Sequence, residues 1–105
     1  MVKILFIDTS GHDQIKVSLD INGQITKISS EPKKEKAEVL LFLIDGLLKK
    51  CHTDIKEITE IKVNPGPGSF TGIRVGLAVA NTLSYTLKIP VNNKKIGNYE
   101  EAKYE

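Results

Sequence analysis

The sequence has one cysteine, Cys51, which excludes an internal disulfide and any multi-cysteine zinc site and suits a reducing compartment. It has one arginine, Arg74, beside 14 lysines. Arginine supplies the bidentate fork that reads phosphate or guanine, so autonomous sequence-specific nucleic-acid binding is not expected. Excess charge is scarce as well: 15 Lys plus Arg against 13 Asp plus Glu leave +2, too little for the basic field of a strong stand-alone nucleic-acid binder. No apolar run approaches the roughly 20 residues of a membrane span, and Asp8 interrupts the N-terminal run before signal-peptide length. The expectation is a soluble cytoplasmic protein without membrane association. With 105 residues, 40% of them hydrophobic, the chain can build one two-layer core that buries roughly two thirds of the unfolded surface. A large multidomain enzyme is not expected.

What is present is well patterned. Lys3 to Asp8 reads as a buried strand that empties into the polar loop Thr9-Ser10-Gly11. Ile15, Val17, Leu19 and Ile21 alternate with polar residues, the period of a half-buried strand. Asn22-Gly23 is a strong hairpin signal, and Ile25 and Ile28 continue into a third strand. Pro32 then suits a helix start, followed by Ala37, Leu40, Leu41, Ile44, Leu47 and Leu48 at helical spacing. After a weak helical turn at Ile55 to Ile58, Glu60 to Val63 reads as a fourth strand, ended by Asn64-Pro65-Gly66-Pro67-Gly68. Ser69 suits the N-cap of a second helix from Phe70 to about Leu87, and Val91 begins a poor last strand. The order β-β-β-α-β-α-β predicts an α/β fold with a mixed sheet and helices packed on it. The domain is expected over residues 1–96, with a charged tail over 97–105.

Two loops could carry chemistry. Hydroxyls and N–H groups of Asp8-Thr9-Ser10 could hold a phosphate, or simply close an ordinary turn. Asn64 to Ser69 leads from strand to helix, where the N–H groups of Ser69, Phe70 and Thr71 could meet an anion, although the Walker lysine is absent and a rigid turn is the simpler reading. His12 and His52 lack metal-ligand spacing, Cys51 lacks an activating pair, and no Ser-His-Asp arrangement stands out. No catalytic residue and no metal site are expected.

The helices are more informative. Stepping 100° per residue places Val39, Phe42 and Leu43 roughly opposite the main stripe of the first helix. Two apolar faces need two partners. In the second helix Gly72, Gly76, Ala80 and Ser84 form a ridge of small residues flanked by Ile73, Leu77, Val75, Val79 and Leu83. Interior glycines cost about 1 kcal/mol each against alanine, so a second backbone is expected to approach there, either within this chain or from a partner.

The strand Ile4 to Ser10, and above all Asn64-Pro65-Gly66-Pro67-Gly68-Ser69-Phe70-Thr71-Gly72-Ile73-Arg74-Val75-Gly76 with Ala80, Leu83 and Ile89-Pro90, resembles the N-terminal domain of the TsaB (YeaZ) family. The resemblance covers residues 3–96. It implies an actin-like, sugar-kinase-like ATPase subdomain and a non-catalytic subunit that pairs with TsaD, with TsaE in the larger complex, to support threonylcarbamoyl transfer to adenosine 37 of tRNA. The family's usual second domain is not seen in the sequence. Asp8, Thr9 and Ser10 would then be a vestigial phosphate loop, no cofactor would belong to this chain, and ATP would bind only at a site composed with a partner. The stretch Lys33 to Glu38 has no histidine, whereas the catalytic relative holds a metal with paired histidines there. Val39, Phe42, Leu43, Gly72, Ile73, Gly76, Ala80 and Leu83 would meet TsaD in a four-helix arrangement. The alternatives are a nucleotide-binding half-enzyme completed by a second chain, and a self-associating domain or homodimer.

Overall fold

The computed structural model describes residues 1–31 and 36–103. Strands β1 (Lys3–Asp8), β2 (Ile15–Ile21), β3 (Gln24–Ser30) and β4 (Glu60–Val63) form one sheet in the order β3-β2-β1-β4. The first three are an antiparallel meander, and β4 joins β1 in parallel. A parallel neighbour needs a crossover, and helix α1 (Lys36–Lys50) provides it, followed by a 3-10 turn at Ile55–Glu57. Helix α2 (Phe70–Leu87) follows β4. The expected start of the first helix at Pro32 lies outside the described residues, as does the Lys33 to Glu35 part of the histidine-free stretch.

Local chemistry accounts for the joints. Asn22 and Gly23 both take positive φ, 51° and 94°, which the tight turn between β2 and β3 requires. Asp54 and Glu57 cap the 3-10 turn reciprocally, and Glu57 also meets the Lys3 ammonium at 2.6 Å. Ser69 caps α2, its Oγ accepting from the Gly72 N–H at 3.2 Å. Lys88 closes that helix in the left-handed region.

Both helices cover one face of the sheet. Leu5, Ile7, Ile15, Val17, Leu19, Ile61 and Val63 face Leu40, Ile44 and Leu47 of α1 and Ile73, Leu77 and Ala80 of α2 in one core. Each fully buried leucine contributes about 1.5–3 kcal/mol of transfer free energy, so α1 is held chiefly by Leu40 and Leu47, both at 0% exposure. Leu41 departs from the expected stripe: it stands 54% exposed, because the sheet accepts the face centred on Leu40, Ile44 and Leu47 and leaves its neighbour outside.

The expected last strand shrinks to one residue. Val91 makes a single parallel bridge to Ile61, and Asn92 and Asn93 then turn the chain through positive φ. The Asn92 side chain substitutes for a strand there: its Oδ1 accepts from the Val63 N–H at 2.8 Å, and its Nδ2 donates to the Val63 carbonyl at 2.9 Å. The following segment folds back on the domain. Asn81 pairs with the Glu100 backbone in both directions, and the Lys103 N–H donates to the Pro65 carbonyl at 2.7 Å. Burial pushes the Glu100 carboxyl up, but hydrogen bonds from Asn92 and the Glu101 N–H, with Lys94 and Lys103 nearby, hold it below the usual glutamate range.

Candidate functional site

The ridge of small residues on α2 does not reach the surface. Gly72, Ile73, Gly76 and Ala80 are all buried inside the domain, so their expected role in meeting a partner is corrected. The backbone that approaches them belongs to the end of β1. A side chain at Gly72 would strike the Thr9 carbonyl, and one at Gly76 would strike the Thr9 hydroxyl. Glycine is therefore required at both positions by close approach, and the helix-propensity loss is offset by docking α2 onto the first loop.

That docking decides what the loop can do. Thr9 is at 0% exposure and its hydroxyl donates to the Gly72 carbonyl, so Thr9 is a packing residue and leaves the expected phosphate-binding set. Ser10 donates from both N–H and Oγ to Asp8 Oδ1, at 2.9 and 2.6 Å, and Asn64 Nδ2 donates to Ser10 Oγ at 3.0 Å. Partial burial pushes the Asp8 carboxyl up, but the Ser10 bonds, the Asn64 amide and the charge of Lys16 hold it below the ordinary aspartate value. On the helix side, the Ser69 N–H donates to the Ser10 carbonyl at 2.7 Å. The Ser10 and Ser69 donors are thus engaged, by the Asp8 carboxylate and the Ser10 carbonyl.

His12 and His52 are both exposed, and Cys51 is half-buried. Among the described residues no group of three or more His, Cys, Asp or Glu could hold a metal ion.

The surface that remains lies on the outer side of the helices. Phe42 is 77% exposed. Val39, Leu43 and Leu83 are half-buried and pack at the margin of the core. The structure also opens an apolar groove of about 420 Å3 between the start of α1, at Ala37, and the outer face of α2, at Phe70, Val75, Ala78 and Val79. Arg74 stands 5.3 Å from the centroid of the exposed Phe70 ring. The sequence placed Val75 and Val79 only as flanks of the glycine ridge, and it missed Ala37 and Phe70. A 100° wheel would have put Phe70 and Ala78 on that outer side, but only the crossing of the two helices brings Ala37 against them.

Comparison with known proteins agrees with this architecture. The family model described as TsaD: tRNA N6-adenosine threonylcarbamoyltransferase matches residues 25–93. The chain belongs to that family, and its fold is α/β of the actin-like ATPase kind. Within it, the resemblance to TsaB is borne out. The tRNA threonylcarbamoyladenosine biosynthesis protein TsaB of Buchnera aphidicola subsp. Acyrthosiphon pisum is 33% identical over 91 residues, which are 87% of this chain and 41% of that protein. TsaB of Bacillus subtilis strain 168 is 33% identical over 89 residues, 85% of this chain and 39% of that protein. The solved structure of YeaZ from Pseudomonas aeruginosa superposes with a TM-score of 0.80 at 28% identity, covering 87% of this chain and 42% of that one. The chain spans about two fifths of the length of the curated relatives it matches.

Proposed function

We propose that this chain is a non-catalytic partner subunit in tRNA threonylcarbamoyladenosine biosynthesis, which docks on the transferase TsaD and supports threonylcarbamoyl transfer to adenosine 37. The observation that carries the reading is the open groove between α1 and α2, lined by Phe70, which is 56% exposed. Contiguous exposed apolar surface of this kind marks an association site. A helix pair from a partner would lay its apolar ridge along the groove and complete a four-helix contact. A non-catalytic role is supported by the first loop, where Thr9, Ser10 and the Ser69 N–H are engaged in holding α2 to β1.

Gel filtration of the chain with its cognate TsaD tests the proposal. Co-elution is expected, and Val79→Asp is expected to abolish it without unfolding the chain. Separate elution of two unmodified proteins would overturn the reading. Sedimentation of the chain alone, if it gives a stable dimer that Val79→Asp also breaks and that TsaD fails to displace, would assign the groove to a second copy instead.

A further inference from the structure

The helices leave the opposite face of the sheet open, and the strand register arranges that face in rows. One row runs Lys27, Ser18, Phe6, Lys62 across all four strands, and the next runs Ser29, Lys16, Asp8. Together they line a hollow of about 730 Å3, within the range of built ligand sites. Phe6 sits at its centre on an inner strand, and the Lys62 ammonium stands 5.6 Å from its ring centroid. Among the described residues Asp8 is the one carboxylate that lines the hollow, and it is already engaged by Ser10 and Asn64; Asp20 and Glu60 stand in the row beyond, outside the lining. A net charge of +2 therefore hides a local concentration of three lysines.

A solvated face on a largely antiparallel sheet is ordinary, and lysines alone would need no further reason. Concavity and a central aromatic ring flanked by cations are not explained by solvation. We propose that this face binds a single-stranded RNA segment, with one base stacked at Phe6 and the flanking phosphates held by Lys16, Lys27 and Lys62. Four-stranded sheets with aromatic side chains on inner strands bind unstacked bases in this way, and stacking tolerates sequence because every base has a π-face. Strands lie about 4.8 Å apart, so Lys27 and Lys62 are roughly 14 Å apart along the row, a span that accommodates a base and a phosphate on each side. An acidic peptide could use the lysines but would leave the ring without a role. The face is remote from the helix groove, so the proposal does not depend on TsaD docking.

Fluorescence anisotropy with a short labelled single-stranded RNA and the full chain tests it. Weak, salt-sensitive binding is expected, with log K falling against log salt by about 0.7 per phosphate held. Lys16→Glu with Lys27→Glu should abolish binding. Phe6→Leu should lower affinity about fivefold or more at an unchanged salt slope, while Phe6→Tyr retains it. Thermal melts of each variant establish that the sheet is intact. The proposal is overturned if the unmodified chain gives no anisotropy change at low salt, if the double charge reversal binds as before, if Phe6→Leu is indistinguishable from the unmodified chain, or if a labelled acidic peptide binds in preference to the RNA.

Discussion

Helix α2 has two faces of similar apolar character and opposite fates. The inner face, Gly72, Ile73, Gly76 and Ala80, is buried against β1, the first loop and the rest of the core. The outer face, Phe70, Val75, Ala78 and Val79, borders an open groove. Close approach needs a backbone with no side chain in the way, and the first loop is the backbone delivered there by the sheet. Small residues at four-residue spacing thus report that something packs closely, without saying what.

The sharpest way to break the contrast is to add volume inside. Gly76→Leu is expected to cost about 3 kcal/mol through overpacking against Thr9, read as a large fall in thermal midpoint. Gly76→Ala is more telling. Helix propensity alone favours it by about 1 kcal/mol, yet its Cβ meets the buried Thr9 hydroxyl, so a net loss of stability is expected. Combining it with Thr9→Ala should recover part of that loss, and strictly additive effects in this double-mutant cycle would refute the contact.

A smaller effect tests the hinge between the two faces. Ser69→Ala removes the oxygen that caps the Gly72 N–H and should cost about 1 kcal/mol in a denaturant titration. Because the Ser69 N–H bond to Ser10 is retained, the groove should keep its partner.

Acidification acts on the ties around the core. Asp8 and Glu100 both titrate below their ordinary values in the fold, so the unfolded chain binds protons first on acidification and stability rises with pH there. Their contribution is complete above the ordinary carboxylate range and is lost as pH falls through the depressed values. Melting temperature should drop across that window, and Glu100→Gln should flatten part of the drop. A profile identical in the variant would remove Glu100 from the account.

The smallest effect on the fold is expected outside. Phe42→Asp changes an exposed side chain, and its stability should stay within about 0.5 kcal/mol, while association with TsaD is lost. If melting fell sharply instead, the outer side of α1 would be core and could not be a docking surface.

Much of this was legible from residues near one another in the chain. The bounds of β1, the Asn22-Gly23 turn, the Ser69 cap and the span of α2 all follow from local periodicity and side chains that satisfy nearby backbone groups. The motif from Asn64 to Gly76 likewise carried the family resemblance. The candidate site was less legible: Phe42 was read as exposed, but Ala37 and Phe70 were missed, and Gly72, Ile73, Gly76 and Ala80 were placed on the wrong side.

The sequence by itself determined the four strands and two helices, their order and the need for a close approach at the glycines, because propensity, capping and hydrophobic period act within a few residues. Only the tertiary structure decided that Thr9 is the residue approached, that Leu41 lies outside the core, and that the Asn92 amide stands in for a strand on Val63. Those outcomes depend on how β4 docks beside β1 and how the two helices cross. A helical wheel gives the angle between two side chains but not the direction of the sheet, and that direction is set by contacts between residues more than fifty positions apart.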